Sequence, residues 1–265
     1  MSDNSSADTS PSLAFYAQLQ RAYDHFNARL FGGDLPSCLI TLRSSGRQHG
    51  YHHSERFINA QGKTLDELAL HPGQFTLRAP EEVLSTLVHE MVHHWQSHFG
   101  RPSRSNPHNR EWGFKMLEVG LEPSSTGLPG GKQTGTTVSH YILPGGRYVT
   151  ACRELLGEGF EIPWYDRHVP RATDAAQMRQ KLQKAGVAVP VSPAPMEVLT
   201  FLETGEKAVI EPAAPKPPTR MRYVCGLCGA QAWAAPTVAL VCEPCGAPLL
   251  KASLVAEMTT LKKSN

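Results

Sequence analysis

The sequence predicts an α+β fold followed by a small cysteine-rich module, and three observations lead to this prediction. The chain has 265 residues, which is enough for one medium domain and a smaller module. Two amphipathic helical patterns, at 13–31 and 80–99, lie on either side of short segments that favour strands. Further along, four cysteines form two C-x-x-C pairs, the spacing typical of a zinc ribbon.

The first helical pattern covers 13–31, with Ser10 as the predicted N-cap and Pro11 at the first helical position. Gly32 and Gly33 follow the last apolar residue and end the helix. The apolar residues recur at steps of three and four, which indicates a face that packs into the core. They are Tyr16, Leu19, Tyr23, Phe26 and Leu30.

Short segments between the two helices predict a small sheet. Residues 37–42 are rich in Leu, Ile and Thr, and segments at 50–53, 56–59 and 67–70 add two or three further strands. A helix, a small sheet and a second helix in that order are typical of an α+β domain.

Three histidines, His49, His52 and His53, occur in the strand-like region at 48–53. His52 and His53 are adjacent, so on a strand their side chains point to opposite faces. This alternation favours exposed polar residues over a second metal site.

The second helix contains the stretch His89-Glu90-Met91-Val92-His93, an H-E-x-x-H pattern. Its two histidines lie one turn apart on the same helix face, so both imidazoles reach a single metal ion. Glu90 is placed to polarise a metal-bound water, the role of the general base in a zinc peptidase. The helix around Glu90 is strongly apolar, and a metal partner offsets the cost of burying a carboxylate there. A surface His/Glu cluster without metal is the disfavoured alternative.

A third metal ligand has to come from further along the chain. The compact peptidase pattern that continues H-E-x-x-H fails, because Gln96 and Phe99 stand where glycine and histidine would be required. His94 and His98 point away from the helix face that carries His89. Neither therefore reaches the same ion.

Two residues after the polar loop at 101–107 are candidates for the third ligand. His108 begins a second helical segment, predicted over 108–120, and would complete a three-histidine site. Glu111, one turn further on, is the rival and would give a His-His-Glu site.

The four paired cysteines predict a closed tetrahedral zinc site, which is structural rather than catalytic. Thirteen residues separate the two pairs, enough for a β-hairpin. In a reducing compartment such pairs indicate metal binding rather than disulfides. The predicted ligands are Cys225, Cys228, Cys242 and Cys245.

The same module carries residues suited to nucleic acid. Tyr223 and Trp233 can stack on unpaired bases, while Arg220 and Arg222 lie close in sequence for phosphate contacts. The alternative is that both aromatic side chains pack into the small core of the ribbon.

Composition and charge narrow the class of protein. The net charge is only +2, from 26 basic and 24 acidic residues, so no global field indicates a nucleic-acid partner. No apolar run is long enough to span a bilayer, and the polar first residues lack a signal-peptide pattern. We therefore expect a cytoplasmic protein without a membrane partner; the sequence makes no prediction of its oligomeric state.

Composition also predicts the domain organisation. Proline-rich sequence separates the ribbon from the larger domain. The predicted parts are a disordered N-terminus at 1–10, a metalloprotease domain at 11–185 with an accessory segment at 123–185, a linker at 186–220, the ribbon at 221–250 and a tail at 251–265.

Four stretches together resemble the SprT-like family of zinc metalloproteases, which includes the Spartan proteases of DNA–protein crosslink repair. The resemblance implies a zincin-like domain in which a segment of the type H-x-x-E-[FW] supplies the third histidine. His108-Asn109-Arg110-Glu111-Trp112 matches that segment, so the resemblance favours His108 over Glu111. The stretches are AYDHFNARLFGGDLP (22–36), APEEVLSTLVHEMVHHWQ (79–96), NPHNREWGFKM (106–116), and the cysteine pairs YVCGLCGAQAW (223–233) with LVCEPCG (240–246).

By this resemblance His89, His93 and His108 bind a catalytic zinc and Glu90 is the base. The expected function is a zinc endopeptidase acting on DNA-associated or DNA-crosslinked proteins, with single-stranded or damaged DNA as a partner. Such a protease would be associated with the nucleoid. The alternatives are a non-catalytic nucleic-acid or protein adaptor on a metalloprotease fold, and a DNA-independent peptidase for one dedicated protein partner.

Overall fold

A computed structural model describes residues 10–44, 48–166, 173–187, 192–195 and 219–252. Residues 1–9 of the predicted disordered N-terminus (1–10), most of the predicted linker (186–220) and most of the tail (251–265) lie outside these residues. The chain divides into two compact units, 1–213 and 214–265. Among the described helices, none is both long and apolar enough to cross a membrane.

The first unit mixes helices and strands, which confirms the expected combination of helix and sheet. Its described helices are α1 (Pro11–Phe31), α2 (Gly73–Leu77), α3 (Pro80–Phe99), α4 (Arg110–Val119), α5 (Arg147–Gly157) and α6 (Thr173–Lys184). Its described strands are β1 (Leu39–Leu42), β2 (Gly50–Ile58), β3 (Thr64–Leu70), β4 (Leu121–Ser124) and β5 (Ser139–Ile142).

Helix α1 begins at Pro11 and ends where Gly32 adopts a left-handed conformation with φ of 72°. The predicted side-chain cap is wrong, because Ser10 contributes its backbone carbonyl to Ala14 and no side-chain hydrogen bond to the helix end. Tyr16 is 43% exposed, so its predicted place on the packing face is also wrong. The 3.6-residue period brings the neighbouring Phe15 to that face instead.

A three-stranded sheet packs beside α3, with the strands in the order β1-β3-β2. The central strand β3 runs parallel to β1 and antiparallel to β2. The two strands predicted at 50–53 and 56–59 form the single strand β2, whose register shifts between His53 and Phe57. Glu55 has a φ of 49° within this irregularity, which bends the strand without ending it.

The accessory segment is part of the main core. Helix α5 contributes Tyr148 and Leu155 to the same apolar cluster as α1 and α3, and the Tyr148 ring stacks on Phe26 with centroids 5.7 Å apart. Gly120, with φ of 96°, permits this packing, since an added Cβ would lie 2.8 Å from the Tyr148 backbone nitrogen. Strands β4 and β5 pair antiparallel and connect α4 to α5.

The second unit is a four-stranded sheet in the order β7-β6-β9-β8. All of its neighbouring strands are antiparallel, and the cysteine pairs lie at its turns. The strands are β6 (Met221–Cys225), β7 (Gln231–Ala234), β8 (Val241–Cys242) and β9 (Ala247–Lys251).

Two leucines of α1 offer a matched test of the core. Leu19 is 3% exposed and Leu13 is 65% exposed. We expect Leu19→Ala to lower the free energy of unfolding by about 2–5 kcal/mol, because it leaves a cavity. Leu13→Ala should change it by less than about 0.5 kcal/mol. Chemical denaturation followed by tryptophan fluorescence measures both, and equal losses would contradict the assigned face.

Candidate functional site

Three histidines converge where α3 meets the start of α4. His89, His93 and His108 each direct one ring nitrogen to a common point, with these atoms within 4.8 Å of one another. The backbone of His108 pairs with Gly135, and this bridge anchors the residue just before α4. The structure therefore brings together the three residues that the sequence analysis selected as a metal-binding set.

Glu111, the rival third ligand, lies elsewhere. Its carboxylate accepts hydrogen bonds from the Arg101 backbone N–H at 2.6 Å and from the Gln96 side chain at 2.9 Å. These contacts hold Glu111 against the end of α3. His108 is thus the residue that completes the cluster with His89 and His93.

The ring of Trp112 packs against all three imidazoles. Its side chain is fully buried, and its ring lies 4.5 Å from His108, 5.0 Å from His89 and 5.2 Å from His93 between centroids. The place of Trp112 one turn after His108 explains how α4 reaches the histidine pair of α3.

Burial favours the neutral form of all three histidines, which is the form that metal binding requires. Burial, together with His140 and His93, holds the pKa of His89 well below its ordinary value. Burial lowers the pKa of His93 to about 3 and also lowers the pKa of His108. Neutral imidazoles present a free lone pair, so the donor set fits a zinc ion with one position open.

His140 orients His89 through a directed chain of hydrogen bonds. Nδ1 of His89 lies 3.1 Å from Nδ1 of His140, and Nε2 of His140 lies 2.9 Å from the Ser85 hydroxyl. Ser85 in turn donates to the Glu82 carbonyl, which can only accept. Nε2 of His140 therefore donates to Ser85, and Nδ1 of His140 accepts the hydrogen bond from Nδ1 of His89. Nε2 of His89 then carries no hydrogen and stays free for the metal. The sequence analysis did not identify His140 as a partner of the site.

Glu90 is buried beside the histidines and lies against β2. Burial raises the pKa of its carboxyl to about 8, and a nearby cation would restore the ionised form. Gly50 permits the close approach, because an added Cβ would lie 3.0 Å from a Glu90 carboxylate oxygen. A cleft of about 560 Å³ opens over this group, between β2 on one side and residues 136–140 on the other.

A second polar cluster lies on another face of α3, and it corrects one expectation. The side chain of His52 is only 5% exposed and lies 2.8 Å from Asp66, so His52 is not an exposed polar residue. His53 is exposed, as the alternation predicts. His94 and His98, which point away from His89, also contact Asp66.

The ribbon brings its four cysteines together at two turns. The four cysteine sulfurs lie within 4.8 Å of one another, and those of Cys228 and Cys242 are 3.5 Å apart. Gly229 and Gly246 close the turns by donating backbone hydrogen bonds to Cys225 and Cys242. Backbone N–H groups of Cys228 and Leu227 lower the pKa of the Cys225 thiol to about 7. Four such sulfurs fit a tetrahedral zinc site.

The nucleic-acid residues of the ribbon divide into two groups. Tyr223 is 3% exposed and donates its hydroxyl hydrogen bond to Ala235, so the stacking role predicted for it is wrong. Trp233 is 61% exposed and pairs across the sheet with Arg222, which is exposed like Arg220. Strand alternation explains the difference, because Tyr223 and its neighbours on β6 face opposite sides.

The role of His140 can be tested by its removal. We expect His140→Ala to weaken zinc binding at the histidine cluster by about 10–100-fold, because His89 loses its orienting partner. Competition with a chelator measures the affinity. His53→Ala, an exposed histidine on β2, is the control and should bind like the wild type. Equal affinities of His140→Ala and wild type would refute the orienting role.

Removing one ribbon cysteine should separate the two sites. Cys242→Ser is expected to lose one zinc and unfold the ribbon while the histidine cluster keeps its metal, because the ribbon depends on its ion for folding. Metal analysis and circular dichroism give the readout, with Cys38→Ser as the control outside both clusters. Loss of metal from both sites would contradict the independence of the two units.

Comparisons with known proteins agree with these residues. A family model described as the SprT-like family matches residues 19–137, a range that contains His89, Glu90, His93 and His108. A curated relative from Salmonella typhimurium, "Uncharacterized protein in mucB 3'region", is 48% identical over 59 residues, which cover 22% of this chain and 80% of that protein. No solved structure matches the chain. The chain belongs to the SprT-like family.

Proposed function

We propose that this protein is a zinc-dependent endopeptidase that acts on DNA-associated or DNA-crosslinked proteins. One observation carries the proposal: three neutral imidazoles converge beside a buried glutamate at the floor of an open cleft. A structural zinc site has no need of a neighbouring carboxylate that is not a ligand. A hydrolytic site requires such a base.

His89, His93 and His108 would hold the zinc ion, which would supply a Lewis acid and lower the pKa of a bound water. Glu90 accepts a proton from the attacking water and delivers it to the nitrogen of the leaving amine. The apolar surroundings of Glu90 raise its basicity once it is ionised. His140 keeps the ring of His89 in one tautomer while this proton moves.

The cleft suits an extended polypeptide. One wall is β2, which lies at the end of the three-stranded sheet and pairs only with β3 among the described strands. The opposite wall is formed by residues 136–140. An unpaired strand edge binds extended peptides through backbone hydrogen bonds with little dependence on side chains. This favours unfolded or locally opened proteins as substrates.

The DNA part of the proposal rests on the family resemblance to Spartan proteases and on the exposed side of the ribbon. Arg220, Arg222 and Trp233 combine phosphate-binding groups with one stacking ring, which suits single-stranded or damaged DNA. Such a protein would act in the cytoplasm at the nucleoid. A DNA-independent peptidase for a dedicated partner is the second candidate, and a non-catalytic adaptor is the third.

The proposal is tested by cleavage of a generic unfolded protein with zinc, in the presence and absence of single-stranded DNA. We expect Glu90→Gln to abolish cleavage without loss of metal, because Glu90 is a base and not a ligand. Glu118→Gln, an exposed residue of α4, is the matched control and should cleave normally. Loss of one zinc from Glu90→Gln would mean that its role is wrongly assigned.

Comparing cleavage with and without single-stranded DNA distinguishes the candidate functions. Cleavage that rises with DNA and loses this response in Trp233→Ala supports the DNA-coupled protease. Cleavage that ignores DNA favours the dedicated-partner peptidase. Cleavage no greater than that of Glu90→Gln under both conditions favours the adaptor.

A further inference from the structure

The second polar cluster of the first unit is built around a single carboxylate oxygen. Oδ2 of Asp66 lies 2.8 Å from Nε2 of His52, 2.9 Å from Nδ1 of His94 and 3.1 Å from Nε2 of His98. The other oxygen, Oδ1, accepts the backbone N–H of Glu55 at 2.9 Å. Asp66 is 4% exposed and His94 is fully buried, whereas the side chain of His98 is 37% exposed.

Hydrogen bonding alone accounts poorly for this geometry. A carboxylate oxygen has about two lone pairs, whereas three histidine nitrogens converge on Oδ2. Nε2 of His52 and Nδ1 of His94 are also only 3.3 Å apart. If both nitrogens carried hydrogens directed at Oδ2, the two N–H groups would crowd each other.

The tautomer of His94 is a second reason why hydrogen bonding between neutral groups does not explain the cluster. Its Nε2 lies 3.0 Å from the backbone carbonyl of Pro36, which can only accept, so this nitrogen carries the hydrogen. In neutral His94 the other nitrogen, Nδ1, then presents a lone pair to the Asp66 oxygen and to His52. Two facing lone pairs at this distance need a positive species between them, either a proton or a metal ion.

We propose that His52, Asp66 and His94 bind a further metal ion, a structural Zn²⁺, and that His98, whose Nε2 lies 3.1 Å from Oδ2 of Asp66, supplies the fourth ligand. One donor atom from each of the first three residues lies within 4.8 Å of the others. Imidazole and carboxylate donors are ordinary zinc ligands, and a tetrahedral ion uses all four lone pairs without crowding. This site is separate from the proposed catalytic site and does not depend on it.

The site joins three elements. His52 belongs to β2, Asp66 to β3, and His94 with His98 to α3. An ion held here therefore fixes the register of α3 against the sheet. That register sets the approach of Gly50 on β2 to Glu90 on α3, so the proposed ion positions the base from a distance.

A proton-only cluster is the competing explanation. In that arrangement His94 is an imidazolium, paired with the Asp66 carboxylate, and no metal binds. Metal content distinguishes the two explanations directly. The extra proton of the imidazolium uses the lone pair of Nδ1 that the metal ion would need.

The test counts zinc per chain in the full-length protein after dialysis, by elemental analysis. We expect about three zinc ions in the wild type and about two in His52→Ala and in Asp66→Asn, which each remove one ligand. His53→Ala, the exposed neighbour on the same strand, should keep the wild-type count. A His93→Ala/Cys228→Ser double variant, which disables the other two sites, should keep about one ion that chelators remove slowly.

Cobalt gives a second readout in the double variant. Co²⁺ at the proposed site should produce the visible absorption of a four-coordinate nitrogen and oxygen site without the sulfur charge-transfer band of the ribbon. The melting temperature of the double variant should also rise when metal is added. If single variants fail to fold, the wild-type count and the double variant decide. A wild-type count that His52→Ala leaves unchanged, together with a metal-free double variant, would overturn the proposal in favour of the protonated cluster.

Discussion

The structure depends on one constraint: α3 is a buried helix that carries polar side chains on two faces. Each of those side chains needs a partner, because burying an unpaired ionisable group is costly. His89 and His93 meet His108 on one face, and His94 meets Asp66 on the other. The sheet, α4 and the β4–β5 hairpin all lie where they supply those partners.

This constraint explains why the segment after α4 belongs to the first unit. Gly135 holds His108 through paired backbone hydrogen bonds, and His140 on β5 holds His89. Helix α5 adds Tyr148 to the core that supports α3. A domain ending near β4 would keep its three histidines but lose the groups that orient two of them. Supporting groups of this kind govern metal affinity nearly as much as the ligands do.

The ribbon differs from the first unit in what holds it together. Its sheet is too small to bury a substantial core, and its two turns bring four sulfurs together instead. Tyr223 and Trp233 are on neighbouring strands, yet one ring fills the interior and the other faces solvent. Burial leaves a single aromatic side chain beside the two arginines, so the proposed DNA contact has one stacking position.

The sequence by itself determined the features that depend on local spacing. The 3.6-residue period gave α1 and α3, the H-E-x-x-H spacing gave one shared face, and the cysteine pairs gave the ribbon. Only the tertiary structure decided between His108 and Glu111, gave His140 its role and buried His52. These outcomes depend on contacts such as His89 with His140, 51 residues apart, and His94 with Asp66, 28 apart. No local period encodes a partner at that distance, because it is the packing of the intervening elements that brings the two side chains together.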